Sequence, residues 1–173
     1  MKKSALLLTL FAAFAMIFAS CSKDKDSASN NGGGGGSTNY GTITFGNQSF
    51  TISHSGYTVD YDEDLDANIV GIGLATADDQ KGVAIAIPFY STVPTGQFTI
   101  TTSENPEQGD GGLAIVLNSN PAYVATQGTI TINQNGDNYT IDASGSTQSL
   151  TGSDVKSFTL HFTGPLPYYE DEN

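Results

Sequence analysis

Four aspartates at every second position, Asp60, Asp62, Asp64 and Asp66, form the densest set of hard ligands in this 173-residue chain. Carboxylate oxygens at that spacing suit Ca²⁺, which takes roughly six to eight oxygen ligands. Against the helix-loop-helix calcium signature the run fails twice. Leu65 stands where the turn wants glycine, and Gly71 stands at the twelfth position, which wants glutamate. A solvated acidic loop between strands accounts for the same residues, so a weak Ca²⁺ site at these four aspartates is the one metal expectation, and no other cofactor is implied. His54 and His161 are the only histidines. A shared zinc or a catalytic pair would require them to converge with a carboxylate; surface histidines are the simpler reading. No serine sits in a nucleophile-elbow context and no phosphate-binding glycine loop follows a strand, so no catalytic residue is expected and the chain does not read as an enzyme.

One residue has a chemistry fixed by its neighbours. Cys21 is the only cysteine, so no internal disulfide can form and the fold rests on its core. It is preceded by Lys2 and Lys3 and then by an apolar run from Ala5 to Ala19 broken only by Thr9. A positive start followed by a short apolar stretch is the pattern of a secretory signal peptide. The run is too short to span a bilayer, which needs roughly 20 residues. It closes on Phe18-Ala19-Ser20-Cys21, which resembles the lipobox of bacterial lipoproteins. The resemblance implies that residues 1–20 are a signal peptide and that the thiol of Cys21 carries diacylglycerol. One acyl chain holds a protein to a membrane only marginally; the two or three on a lipoprotein cysteine make the anchor lasting.

Residues 22–39 read SKDKDSASNNGGGGGSTN, with no apolar side chain beyond Ala28. Five consecutive glycines hold no fixed conformation, so residues 21–39 are expected to be a flexible tether. A coil of this length averages roughly 20–25 Å end to end and stretches to about 60 Å. The charged Ser22-Lys23-Asp24-Lys25-Asp26 resembles the signal that carries Bacteroidetes lipoproteins to the outer face of the cell. The triplet Asp26-Ser27-Ala28 resembles their O-glycosylation sequon, which implies a glycan on Ser27. Both stretches also suit a plain solvated tether. Without residues 1–20 the chain keeps four lysines and no arginine against eighteen acids, a net charge of −14. Such a surface repels phosphate backbones and anionic headgroups, which excludes nucleic acid as a partner and leaves anchoring to the lipid.

From Tyr40 the pattern turns to period two. GTITF, SFTI, IVGIGLA, VAIAIPF, QFTIT, LAIVL, GTITI, NYTIDA and SFTLHF each alternate apolar with Thr, Ser or small residues. Alternation of this kind is a strand with one face buried. No window of a dozen residues carries a helical period. Turn signals separate the runs: Gly46-Asn47, Ala77 to Gly82, Pro94-Thr95-Gly96, Asn135-Gly136-Asp137 and Ser144-Gly145-Ser146. The expected fold is all-β: a single antiparallel domain over residues 40–167, a β-sandwich or calycin-like barrel of about 8–10 strands, followed by an acidic tail over 168–173.

The last third, GTITINQNGDNYTIDASG followed by SFTLHFTGPL, resembles the C-terminal strands of small Bacteroidetes surface lipoproteins with an all-β domain. That resemblance implies an address, the outer membrane and the cell surface, and a fold. It transfers no catalytic residue. The functional expectation is therefore a membrane-anchored lipoprotein whose domain is a non-enzymatic binding module for a protein or glycan. The alternative is a calycin-like carrier of a small apolar molecule, which needs an empty interior. Tyr57, Tyr61, Tyr90, Tyr123, Tyr168 and Tyr169 sit near turns or the terminus and could stack on sugars, although the chain has no Trp.

Overall fold

The computed structural model describes residues 39–169, apart from 104 and 119. Residues 1–20, expected as a signal peptide, lie outside the described residues, as do Cys21, Ser27, most of the expected tether and 170–173. Among the described residues there is no helix, and ten strands follow in chain order: β1 (Gly41–Phe45), β2 (Gln48–Ile52), β3 (His54–Asp62), β4 (Ala67–Ala75), β5 (Lys81–Pro88), β6 (Gly96–Ile100), β7 (Asp110–Leu117), β8 (Asn120–Asn135), β9 (Asn138–Ser149) and β10 (Val155–Pro165). The fold is all-β, as the alternation requires.

The strands make one sheet in the order β2-β1-β10-β9-β8-β6-β7-β5-β4-β3, with a further β7–β8 pairing. The sheet is mixed rather than wholly antiparallel, because β6 and β7 run parallel through Thr99↔Asp110 and Ile100↔Gly111. Topology forces this. β7 and β8 form a tight antiparallel hairpin, with Leu117 opposite Asn120, and β6 also pairs antiparallel with β8. Two strands that both oppose β8 must run alongside one another in the same direction.

The sheet curls into a half-barrel, and its two end strands are consecutive in the chain. Only Ser53 separates β2 from β3, and its N–H donates to the carbonyl of Ala75 in β4 at 2.8 Å. β2 and β3 are thus one run that pairs with β1 first and β4 afterwards.

The core fills the concave side. On β10, Phe158, Leu160, Phe162 and Gly164 are buried while Thr159, His161 and Thr163 are exposed, a strict period of two. Phe158 and Phe162 meet Ile43, Ile52, Ile72, Ile85, Leu113 and Ile130 in the same cluster, all nearly inaccessible. Each such side chain contributes roughly 1.5–3 kcal/mol by leaving water. β4, β5 and β7 are buried on both faces, which is why their sequences read as near-continuous apolar runs. Their second face carries a smaller cluster of Ile69, Ala84, Ala86, Ala114, Val116 and Val124.

Ser144-Gly145-Ser146, expected as a turn, lies inside β9. Gly145 faces Gly128 of β8, and a Cβ on either would lie 2.0–2.1 Å from a carbonyl oxygen of the other strand. The two glycines let long strands approach and bend together, next to a register shift between Ala125 and Gln127.

Candidate functional site

The acidic run divides between a strand and its turn. Asp60 and Asp62 belong to β3 and share the face that also carries Thr58, whereas Asp64 and Asp66 sit in the turn before β4. The turn ends the period of two, so the four carboxylates do not stay on one face. Their oxygens have local work. Asp62 Oδ1 accepts the backbone N–H groups of Asp64 and Leu65, both at 3.0 Å, which closes the turn. Asp66 takes a left-handed φ of 52° and accepts the Tyr61 hydroxyl. That hydrogen bond, with desolvation and the charge of Asp66 beside it, raises the Tyr61 phenol above its ordinary pKa. Among the described residues no three His, Cys, Asp or Glu side chains are placed to share a metal ion.

The two histidines stand on separate strands, each with its own carboxylate. His54 opens β3, and its Nδ1 lies 2.8 Å from Asp79 Oδ1. His161 is on the wet face of β10, as its phase requires, with Nδ1 2.7 Å from Asp142 Oδ1 on the adjacent strand β9. Register explains the second pair, since His161 and Asp142 are direct cross-strand partners.

Both lysines of the domain lie over aromatic rings, which the sequence did not disclose. Lys156 Nζ lies 5.2 Å from the Phe45 ring centroid and 5.0 Å from that of Tyr123, and the two rings meet edge to face at 4.7 Å. The same ammonium donates to the Tyr123 hydroxyl at 3.1 Å and pairs with Asp154 Oδ2 at 3.2 Å; Tyr123 in turn donates to Asp154 at 2.8 Å. The Tyr123 hydroxyl and the Lys156 ammonium hold the Asp154 carboxyl below its usual range. Hydrogen bonds to Tyr123 and Asp154 hold Lys156 above its own. Lys81 Nζ lies 4.7 Å from the ring centroid of Phe50, on β2. It borders a surface depression that also includes Ser53, Thr76 and Asp78. The Thr76 hydroxyl and the Gln80 N–H lower the Asp78 carboxyl. The one available signal was scarcity: only two lysines face sixteen acids between residues 40 and 173, so each had charge partners to choose from.

The tyrosines do not form one platform, although Tyr57 and Tyr168 pack together with their ring centroids 5.2 Å apart. Tyr61 and Tyr168 are exposed, Tyr123 belongs to the Lys156 cluster, and Tyr90 packs at right angles on Phe98. No known protein family, curated protein or solved structure matches this chain.

Proposed function

We propose that this chain is a lipoprotein of the outer membrane, displayed at the cell surface, whose β-domain is a non-enzymatic binding module. The observation that carries the reading is Cys21: a lone cysteine after a small-residue pair, at the end of a short apolar run that begins with two lysines. The glycine-rich tether supports it, since a coil of 18 residues or so lifts a folded domain about 20–25 Å from the lipid. Charge supports it too. A domain with sixteen acids and two lysines is kept off anionic headgroups and presents its faces outward.

A carrier would need room on the concave side of the sheet. Phe158, Phe162 and the branched residues around them occupy that side, which favours a module that binds on its surface. The partner class is a protein or a glycan.

Cys21→Ser tests the anchor. Metabolic palmitate labelling should be lost and the protein should remain unprocessed or leave the membrane fraction; labelling that persists contradicts the reading. The glycan on Ser27 is a separate part of the proposal. The linker peptide of native protein should carry a mass increment that disappears in Asp26→Ala, and an unmodified peptide removes that part alone.

A further inference from the structure

The domain's two cations are not equally engaged. Lys156 has a hydroxyl and a carboxylate as partners. Lys81 opens β5, and its ammonium is held over the Phe50 ring. Among the described residues no carboxylate forms an ion pair with Lys81 and no acceptor takes a hydrogen bond from its Nζ. With sixteen acids to two lysines, an ion pair is the expected state of such a group. The turn before β5 explains the exception, because both of its carboxylates have other partners. Asp78 Oδ1 accepts the Thr76 hydroxyl and, at 3.2 Å, the Gln80 N–H. Asp79 takes a left-handed φ of 55° and places its Oδ1 2.8 Å from His54 Nδ1.

Lys81 borders an open depression of about 590 Å³, whose lining also includes Phe50, Thr51, Ser53, Thr76 and Asp78. That volume lies in the range of small-molecule sites, roughly 300–1,000 Å³. Three hydroxyl side chains and one aromatic ring suit a polyhydroxylated ring, which needs apolar contact and hydrogen bonds together. The contact with Phe50 restrains the ammonium without using its hydrogens, so its N–H groups remain available to a ligand. Net charge sharpens the selection. A domain with sixteen acids and two lysines repels anions at long range, so an anion that stays bound is held by a local group.

We propose that the depression between β2 and the β4–β5 turn is a glycan subsite, in which Lys81 binds the carboxylate of an acidic sugar. The carboxylate accepts charge-assisted hydrogen bonds from Nζ, and the sugar ring lies towards Phe50 with the threonine hydroxyls at its edge. Asp78, on the same rim, disfavours a second acid group close by. The assignment rests on the glycan half of the proposed function and is independent of Cys21.

Titration calorimetry on the full chain in detergent, read with amide NMR shifts, tests it at about 0.15 M salt. The probes are tri-galacturonic acid, the same trisaccharide with its carboxyls reduced, and a tripeptide with a free C-terminal carboxylate. The acid trisaccharide should bind about tenfold more tightly than either of the others and shift the amides of Phe50, Ser53, Thr76 and Lys81. Lys81→Met keeps the aliphatic stem and removes the charge, and should lose about that tenfold. Lys81→Arg should retain most of the affinity, and Lys156→Met should match wild type. No binding of the acid trisaccharide, shifts confined to other parts of the sheet, or a peptide that binds as well as the sugar acid would each overturn the proposal. Equal affinity for the acid and reduced sugars would overturn the role of Lys81 and leave the glycan reading standing.

Discussion

Two stretches of the sheet are built on opposite principles. β9 and β10 share an unbroken antiparallel register of eleven residue pairs, β8 joins β9 along nearly its whole length with one register shift, and β10 alternates cleanly into the core. The β3 edge is closed by a five-residue segment with two prolines and one bridge. The first region is stabilised by backbone pairing and burial together. The second depends on three side chains, Leu166, Tyr168 and Tyr169. A sheet edge closed this way is protected from other chains, yet it is also the place where opening costs least.

The largest effect should come from the ladder. Phe162→Ala removes a fully buried ring and should cost about 3–5 kcal/mol in urea unfolding, with the whole domain melting together. Gly145→Ala comes next. Its new Cβ would meet the Gln127 carbonyl at 2.0 Å, a backbone atom that cannot swing aside, so overpacking of about 1–3 kcal/mol is expected. At the β3 edge, Tyr168→Ala should cost only about 0.5–1.5 kcal/mol, the worth of one aromatic pair, and leave the ladder amides protected. If Tyr168→Ala destabilises as much as Phe162→Ala, the two regions are one cooperative unit and the contrast fails.

Smaller effects sharpen the contrast at the acidic end of β3. With Asp62 Oδ1 already on two backbone amides, 10 mM Ca²⁺ and Mg²⁺ at equal ionic strength should raise the melting temperature alike, by screening. A true Ca²⁺ site with a dissociation constant of about 0.5 mM would add roughly 1.8 kcal/mol for Ca²⁺ alone. Asp62→Asn with Asp64→Asn would then abolish that increment. The smallest effect concerns pH. The Asp154 pKa is depressed, so its contribution is present above the unfolded value and lost as pH falls through the folded one. The Lys156 pKa is raised, so its contribution is present below the unfolded value and lost as pH rises through the folded one. Lys156→Met should therefore move the acid midpoint slightly upward and flatten the alkaline limb, as followed by circular dichroism.

Period-two alternation made most strands legible, because burial on one face leaves a signature in the sequence itself. β10 is the clearest case. β3 was not legible as a strand: His54-Ser-Gly-Tyr-Thr-Val-Asp-Tyr-Asp mixes polar and aromatic residues, since one side faces the segment after β10 and its far end is solvated. Gly145 read as a turn because a glycine between serines serves equally for reversal and for close approach; only the opposing Gly128, 17 positions away, distinguishes them. The Lys156 cluster joins Phe45, Tyr123 and Asp154 across three parts of the chain, and no local pattern announces a contact of that kind. Tyr168 and Tyr169, grouped in sequence with an acidic tail, are paired to β3 because Tyr57 and Gly56 receive their rings.

Mass spectrometry of the mature N-terminus, on protein taken from the membranes of its own cell, tests the central claim most directly. A chain that begins at Cys21 and carries a diacylglycerol thioether with its acyl chains is the predicted result. A chain that begins elsewhere, or one with a free Cys21 thiol, would contradict it.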